Sequence, residues 1–307
     1  MEHRIAEYND NLELYLKQIG GIFDIQSIIN EPQDKPQIIN YYLKNRIPYR
    51  LGYSLEGFIH SSISHDGKHK KEDFKEQARI VERYVHDNNA KKVLELGYGL
   101  GPNSAFLASR NPKVSFAGVD ISNKPLKRFT KMPNVRFLFC DFHDLSIFED
   151  SVYDIVFAIE ALCCSTNKLQ VLREVKKKLK KGGLFIVIDA YKRDRATPMT
   201  QSEDIMWKLI EKSTAIEKFE CVKEVEGYMH EEYSIAEVKD LSLCVLPSLE
   251  RMEPRARFYF AHPYFAKAVN KVLPSDIVKN ALQVLLLPIS VKRQIGCYYV
   301  HILKNDN

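Results

Sequence analysis

The residues with the clearest chemistry are glycines behind a carboxylate, in the run Glu95-Leu96-Gly97-Tyr98-Gly99-Leu100-Gly101, with Pro102 immediately after. Glycines at this spacing let the chain turn tightly and bring its backbone close to a ligand, and a helix starting just beyond offers unpaired N–H groups. A nucleotide-like ligand is implied. The spacing is GxGxG, whereas dinucleotide loops carry GxGxxG, and Pro102 stands where that fingerprint has its third glycine. Glu95, two residues before Gly97, would repel a pyrophosphate, so the loop suits a cationic ligand without phosphate. Three further carboxylates, Asp120, Asp141 and Glu160, each stand at the end of a short apolar run.

Other chemistry finds less support. His60, His65 and His69 lie close together, but in a polar loop with neighbouring lysines (DGKHKKED), which reads as solvated and not as a metal site. Lys176 to Lys178, with Lys180 and Lys181, falls where cations complement the C-terminus of a crossover helix. There is no GxxxxGK phosphate loop, GxSxG elbow or HExxH helix. No metal is expected.

The elements that must position these groups read as an alternation of strands and helices. Lys92–Leu96, Val114–Asp120, Val135–Cys140, Tyr153–Ile159 and Leu184–Ile188 are apolar runs of strand length. Helices are expected over Asn103–Arg110, around Lys124–Lys131, and over Leu169–Leu179, the last ended by Gly182-Gly183. Five strands joined by right-handed crossovers make a doubly wound sheet. Further on, Glu203–Lys218 reads as a helix, Ser234–Val238 as a weak strand and Gln294–Leu303 as a strong one. The expected fold is therefore α/β, a doubly wound, mostly parallel, seven-stranded Rossmann-like sheet. Residues 1–90 form a helical N-terminal cover, 91–240 the core, 241–293 a helical lid or insertion, and 294–307 the terminal strand of the core sheet.

Composition sets the outer bounds. The 307 residues are 45% hydrophobic and 28% charged, which excludes disordered and fibrous classes. A net charge of +5 from 45 Lys plus Arg and 40 Asp plus Glu is too slight to announce a nucleic-acid protein. Met1 to Leu16 lacks the basic-then-apolar order of a secretory signal, and the greasiest stretch, Ala281 to Pro288, is far short of the roughly 20 apolar residues of a membrane span. A cytoplasmic protein is expected, its six cysteines reduced, Cys163 and Cys164 included.

The glycine loop with its preceding carboxylate resembles the first motif of the class I S-adenosylmethionine-dependent methyltransferases, in their small-molecule branch. That resemblance implies S-adenosylmethionine as cofactor, with Glu95, Gly97, Gly99 and Gly101 holding its methionine part. It further implies Asp120 on the ribose hydroxyls, Asp141 on the adenine amino group and Phe142 beside the ring. Ile159-Glu160-Ala161-Leu162-Cys163-Cys164 resembles the IEATCH-like segment of sterol and related enzymes, with Cys164 where that pattern often has His. Glu160 could take a proton from the acceptor or stabilise positive charge formed as the methyl transfers. Tyr41-Tyr42, Tyr49, Tyr53 and Gly57-Phe58-Ile59-His60 resemble the family's N-terminal aromatic segment, which folds over cofactor and acceptor. Aromatic faces suit a sulfonium, which puts Tyr53 on the cofactor, and His60 is a second proton acceptor.

The activity implied is methyl transfer to a small, partly apolar molecule such as a natural product, isoprenoid or sterol-like scaffold. Two alternatives remain. One is methylation of nucleic acid or protein, for which strand four lacks an NPPY-type segment; the other is a non-catalytic cofactor-binding module of the same fold. Nucleic acid is not an expected partner. Peripheral membrane contact through Val284–Leu287, with Lys279, Lys292 and Arg293, would deliver a lipophilic acceptor.

Overall fold

The computed structural model describes residues 12–33, 35–121 and 124–307, without the side chains of Lys35, Arg46, Ile47, Tyr49 and Leu51. Most of the opening Met1–Leu16 segment, and the Tyr49 ring expected in the aromatic cover, therefore lie outside the described residues. Strands β1 (Lys92–Leu96), β2 (Ser115–Asp120), β3 (Val135–Phe139), β4 (Tyr153–Ile159), β5 (Leu179–Lys192), β6 (Ser234–Asp240) and β7 (Gly296–Lys304) form one sheet of seven strands. Its order is β3-β2-β1-β4-β5-β7-β6, with β7 antiparallel to both of its neighbours.

The order in which strands are added reverses between β1 and β4, which pair in parallel with Leu96 opposite Ala158. A crevice opens at such a reversal, outside the carboxyl ends of the strands. The loop after β1 carries the glycines and the residue after β4 is Glu160, so the topology alone makes these two features neighbours.

Both faces of the sheet are covered by apolar residues, as central parallel strands require. On one face Val171, Leu172 and Val175 of the helix Lys168–Lys178 join Val225 and Met229 of the helix Val222–Glu232. On the other, Val81 and Val85 of the helix Glu76–Asp87 pack with Leu107 of the helix Pro102–Arg110. A third cluster joins the first described helix, Leu12–Gly20, to the helices Gln201–Thr214 and Asn280–Lys292 through Ile19, Ile210 and Leu286. The start of Gln201–Thr214 is fixed by a capping box in which the Thr200 hydroxyl and Glu203 carboxylate each accept the other's backbone N–H.

Three expectations change. No helix forms around Lys124–Lys131; the backbone there makes turns, with Phe129 N–H on the Leu126 carbonyl and Met132 N–H on the Phe129 carbonyl. Pro125 has no N–H to give a helix, and the Leu126 N–H is used by the Leu100 carbonyl. Gly182-Gly183 does not end the preceding helix, which stops at Lys178; both glycines lie inside β5, together with Lys180 and Lys181. The helix yields early because Leu179 already pairs with Tyr153, and the left-handed Gly182 (φ 76°) absorbs the irregularity that follows.

The insertion 241–292 is helical, as five helices from Ser242–Glu250 to Asn280–Lys292, but its greasiest residues do not face outward. Leu285 and Leu286 are fully buried, while Lys279, Lys292 and Arg293 pair with Glu31, Glu250 and Glu203. Large apolar residues that this region does expose are Leu243, Phe258, Tyr264, Phe265, Val272 and Leu273. Among the described residues no helix is long and apolar enough to cross a membrane.

Asn305 secures the irregular entry to β5. Its amide donates to the carbonyls of Lys176, Leu179 and Lys180 at 3.3–3.4 Å, and its backbone exchanges bonds with Gly182 and Gly183. Replacing Asn305 by Ala strands buried carbonyls and is expected to cost about 1–3 kcal/mol. Thermal unfolding would show a lowered midpoint, with ligand binding at the far end of the sheet unchanged.

Candidate active site

The glycine loop is held by the carboxylate before it. Gly101 caps the helix Pro102–Arg110 and has no side chain to accept an N–H. Glu95 takes over that task from β1: its carboxylate accepts the Ser104 N–H at 3.2 Å, the Ser104 hydroxyl, and the Asn103 amide at 3.3 Å. It is 1% exposed and lines neither of the two large cavities described below. Its carboxylate thus lies beneath the loop, and burial lifts its pKa to about 7 despite the donors.

Gly97, Gly99 and Gly101 all have left-handed backbones, with φ of 70°, 55° and 87°. A Cβ on Gly97 would lie 2.6 Å from the Ala161 Cβ, and one on Gly101 would lie 2.8 Å from the Phe137 ring. The cradle needs glycine for both reasons.

Two cavities meet at this loop. The smaller, about 1100 Å³, is lined by Gly97, Gly99, Asp120, Asp141, Phe142 and Glu160 among others. Asp120 accepts the Gly99 N–H at 2.9 Å, which joins the end of β2 to the loop. Asp141 accepts both the backbone N–H of His143 and its Nδ1, at 3.0 and 2.7 Å, while His143 Nε2 pairs with the Ser165 hydroxyl at 2.8 Å. His143 therefore ties the loop after β3 to the loop after β4. No local pattern singles it out, since a histidine two residues beyond a carboxylate is common in loops.

The larger cavity, about 1590 Å³ counting its open mouth, reaches from Gly97 and Asn103 to the helix Asn280–Lys292. Tyr53 belongs here and not to the smaller cleft: its hydroxyl pairs with Ser248 at 3.1 Å and Arg251 stacks on its ring. His60 also lines it, with Nδ1 facing the Ser61 carbonyl at 3.1 Å and Nε2 facing Asn103 Oδ1 at 3.2 Å, two acceptors of which the neutral ring donates to one. Burial holds its pKa below the usual value. These contacts connect His60 through Asn103 to Glu95, so it braces the cover segment against the glycine loop.

Glu160 and Tyr42 line both cavities. Tyr42 bonds Cys164 at 3.1 Å. Glu160 has a left-handed backbone, φ 46°, at the end of β4; such a conformation is uncommon outside glycine and persists only where the surroundings impose it. Its N–H reaches the Ile188 carbonyl at 2.9 Å, and Asp189 accepts the Cys163 N–H at 2.9 Å, so both ends of the turn are tied to β5. The carboxylate accepts the Ser61 N–H at 2.7 Å and a bond from the Tyr298 hydroxyl, yet burial, with Asp189 nearby, raises its pKa to about 8. Tyr298, Asn103 and Asp189 are site residues that no local motif marks; they arrive from β7, a helix start and β5.

A model of the methyltransferase domain matches residues 87–240. The chain belongs to the class I S-adenosylmethionine-dependent methyltransferase family. It is similar to the phthiotriol/phenolphthiotriol dimycocerosates methyltransferase of Mycobacterium tuberculosis, 30% identical over 127 residues that cover 38% of this chain and 47% of that protein. Sterol methyltransferase-like 2 of Botryococcus braunii is 35% identical over 115 residues, 35% of this chain and 29% of that protein. The chain thus spans about half or less of the length of these curated relatives. In fold it resembles geranyl diphosphate C-methyltransferase from Streptomyces coelicolor A3(2), solved with Mg2+, geranyl diphosphate and S-adenosyl-L-homocysteine. The TM-score is 0.59 at 14% identity, over 90% of this chain and 100% of that one.

The residues present fit S-adenosylmethionine. The glycine cradle admits close backbone approach, Asp120 and Asp141 supply acceptors for hydroxyl and amino groups, and Glu160 and Tyr42 border the cleft where a cation would lie. A cation favours the ionised form of any nearby carboxyl group, and burial holds Glu160 and Glu95 at about 8 and 7. Binding of S-adenosylmethionine is therefore expected to release protons and to tighten as pH rises from 6 to 8, whereas uncharged-sulfur S-adenosylhomocysteine shows a weaker dependence. Calorimetry in two buffers of different ionisation enthalpy measures the protons released.

Proposed function

We propose that the protein transfers the methyl group of S-adenosylmethionine to a small, partly apolar acceptor held in the larger cavity. The observation that carries this reading is the position of Glu160, among the described residues the one carboxylate on the walls of both cavities, beside the glycine loop. Bound S-adenosylmethionine supplies an electrophilic methyl carbon on a sulfonium. What the chain contributes is chiefly alignment, because in-line displacement depends on the nucleophile standing opposite the leaving sulfur.

In this reading Gly97, Gly99 and Gly101 seat the cofactor by backbone approach, Asp120 takes the ribose hydroxyls, and Asp141 with Phe142 borders the adenine. Tyr42 stands at the junction between the two ligands. Glu160, fixed by the Ser61 N–H and the Tyr298 hydroxyl, accepts the proton that the acceptor loses or balances the positive charge it gains. His60, held between the Ser61 carbonyl and Asn103, serves as a brace more readily than as a base. An apolar acceptor suits the walls formed by Ile59, Val245, Leu249, Val284 and Leu287. The relatives named for lipid and sterol substrates support the same class of acceptor.

Two substitutions test the assignment. Asp120→Ala is expected to abolish micromolar binding of S-adenosylmethionine in a calorimetric titration, since it removes a ligand acceptor and the partner of Gly99 together. Glu160→Gln is expected to preserve binding of S-adenosylhomocysteine, whose sulfur is uncharged, and to lower turnover at least 100-fold, about 2.7 kcal/mol in the barrier. In the unsubstituted enzyme turnover rises with pH as Glu160 ionises, along a limb at or below about 8, because a bound sulfonium draws the carboxyl downward. Loss of that limb in the Gln variant, read from a pH–rate profile, separates a proton-accepting role from a purely steric one.

A further inference from the structure

The larger cavity is bounded by aliphatic and aromatic side chains and by neutral hydrogen-bonding groups. Among the described residues, no Lys or Arg lines it. Of the basic residues beside the lining segments, Arg251 donates to the Tyr53 carbonyl at 2.9 Å and lies over its ring, Lys292 pairs with Glu250, and Arg293 pairs with Glu203. The neutral groups are also tied down, Ser248 by Tyr53 and the Ser62 N–H, Asn280 by Tyr41 and Gln283. The one carboxylate on the wall is Glu160. Nor do the described residues hold any group of three or more His, Cys, Asp or Glu able to fix a bridging cation.

An anion brought into such a cavity would leave water, find no cationic partner and face a carboxylate, and each of the three opposes its burial. A hydroxyl or carbonyl needs only a single shared hydrogen bond. Resting on the function proposed above, we infer that the acceptor is a lipophile without an anionic group, and that the larger cavity rejects the phosphorylated or carboxylated form of the same carbon skeleton. The fold it shares with an enzyme solved with geranyl diphosphate therefore does not extend to the charge of the acceptor.

The chain carries a single tryptophan, Trp207, and it lies on the cavity wall, so its emission reports occupancy without any turnover. The experiment first records binding of S-adenosylhomocysteine by calorimetry. Farnesol and farnesyl diphosphate, identical in their carbon chain, are then titrated into the protein with and without S-adenosylhomocysteine while Trp207 emission is followed. Farnesol is expected to bind at least tenfold more tightly. Val284→Lys, which places a cation on the wall, is expected to narrow that ratio at least tenfold while leaving S-adenosylhomocysteine binding unchanged. Equal or tighter binding of the diphosphate overturns the inference, as does silence of Trp207 toward both compounds, and in either case normal S-adenosylhomocysteine binding leaves the cofactor assignment standing. Absence of S-adenosylhomocysteine binding counts against the proposed function instead, and the preference measured without it still decides the charge of the cavity.

Discussion

The site depends on one buried interaction, the Glu95 carboxylate against the start of the helix Pro102–Arg110. A glycine loop that approaches a ligand closely must end in a helix whose first N–H groups point toward the loop, and a glycine at the cap cannot satisfy them itself. The carboxylate from β1 does so from below. It thereby leaves the upper face of the loop clear, and through Asn103 it reaches His60 in the N-terminal cover. One side chain thus joins the sheet, the loop, the helix and the cover. Its burial raises its pKa, so the arrangement holds a carboxyl near its ionisation point directly beneath the place where a cationic ligand is expected.

A second set of constraints fixes Glu160. Because β1 and β4 are neighbours in parallel register, the turn after β4 must pass close to Gly97, and the Ala161 Cβ closes the space a Gly97 side chain would need. The left-handed backbone at Glu160 is the local consequence: the chain turns sharply there, with Ile188 and Asp189 of β5 tying both ends of the turn. The carboxylate is then aimed between two cavities by the Ser61 N–H, a group some hundred positions away in the chain. Strain at this position is offset by contacts from three separate parts of the fold, which is the usual circumstance in which such strain is retained.

The parts of this architecture that could be read from the chain were those encoded over short distances. Apolar runs of strand length, the glycine loop and the carboxylates closing β2, β4 and the stretch after β3 are local patterns, and they give the sheet and the outline of the cofactor cleft. Patterns were misread where tertiary contacts overrule them. The stretch Lys124–Lys131 has helical composition, yet its Leu126 N–H is taken by the glycine loop; Gly182-Gly183 resembles a helix stop, yet strand pairing claims the chain sooner. Tyr53 and His60 could be assigned to the cover, but which cavity each one faces depends on Ser248 and Asn103, which are remote in sequence. Asp189 and Tyr298 were invisible for the same reason: nothing in a strand's alternation says that one of its side chains will meet a carboxylate from another strand.

The separation of charge between the two cavities follows from these placements. Carboxylates collect where the carboxyl ends of β2 and β4 and the loop after β3 converge, because each one satisfies backbone N–H groups of a tight turn there: Gly99 for Asp120, His143 for Asp141, Ser61 for Glu160. The helices that close the other cavity, Gln201–Thr214 and Asn280–Lys292, pack through aliphatic faces, and Lys279, Lys292 and Arg293 at the two ends of the second are paired with Glu31, Glu250 and Glu203. The same packing that stabilises the insertion thus removes cations from the cavity wall. A site of this kind favours a cation on the sheet side and disfavours an anion on the helical side, a combination that suits the proposed methyl transfer from a sulfonium to a lipophile without an anionic group.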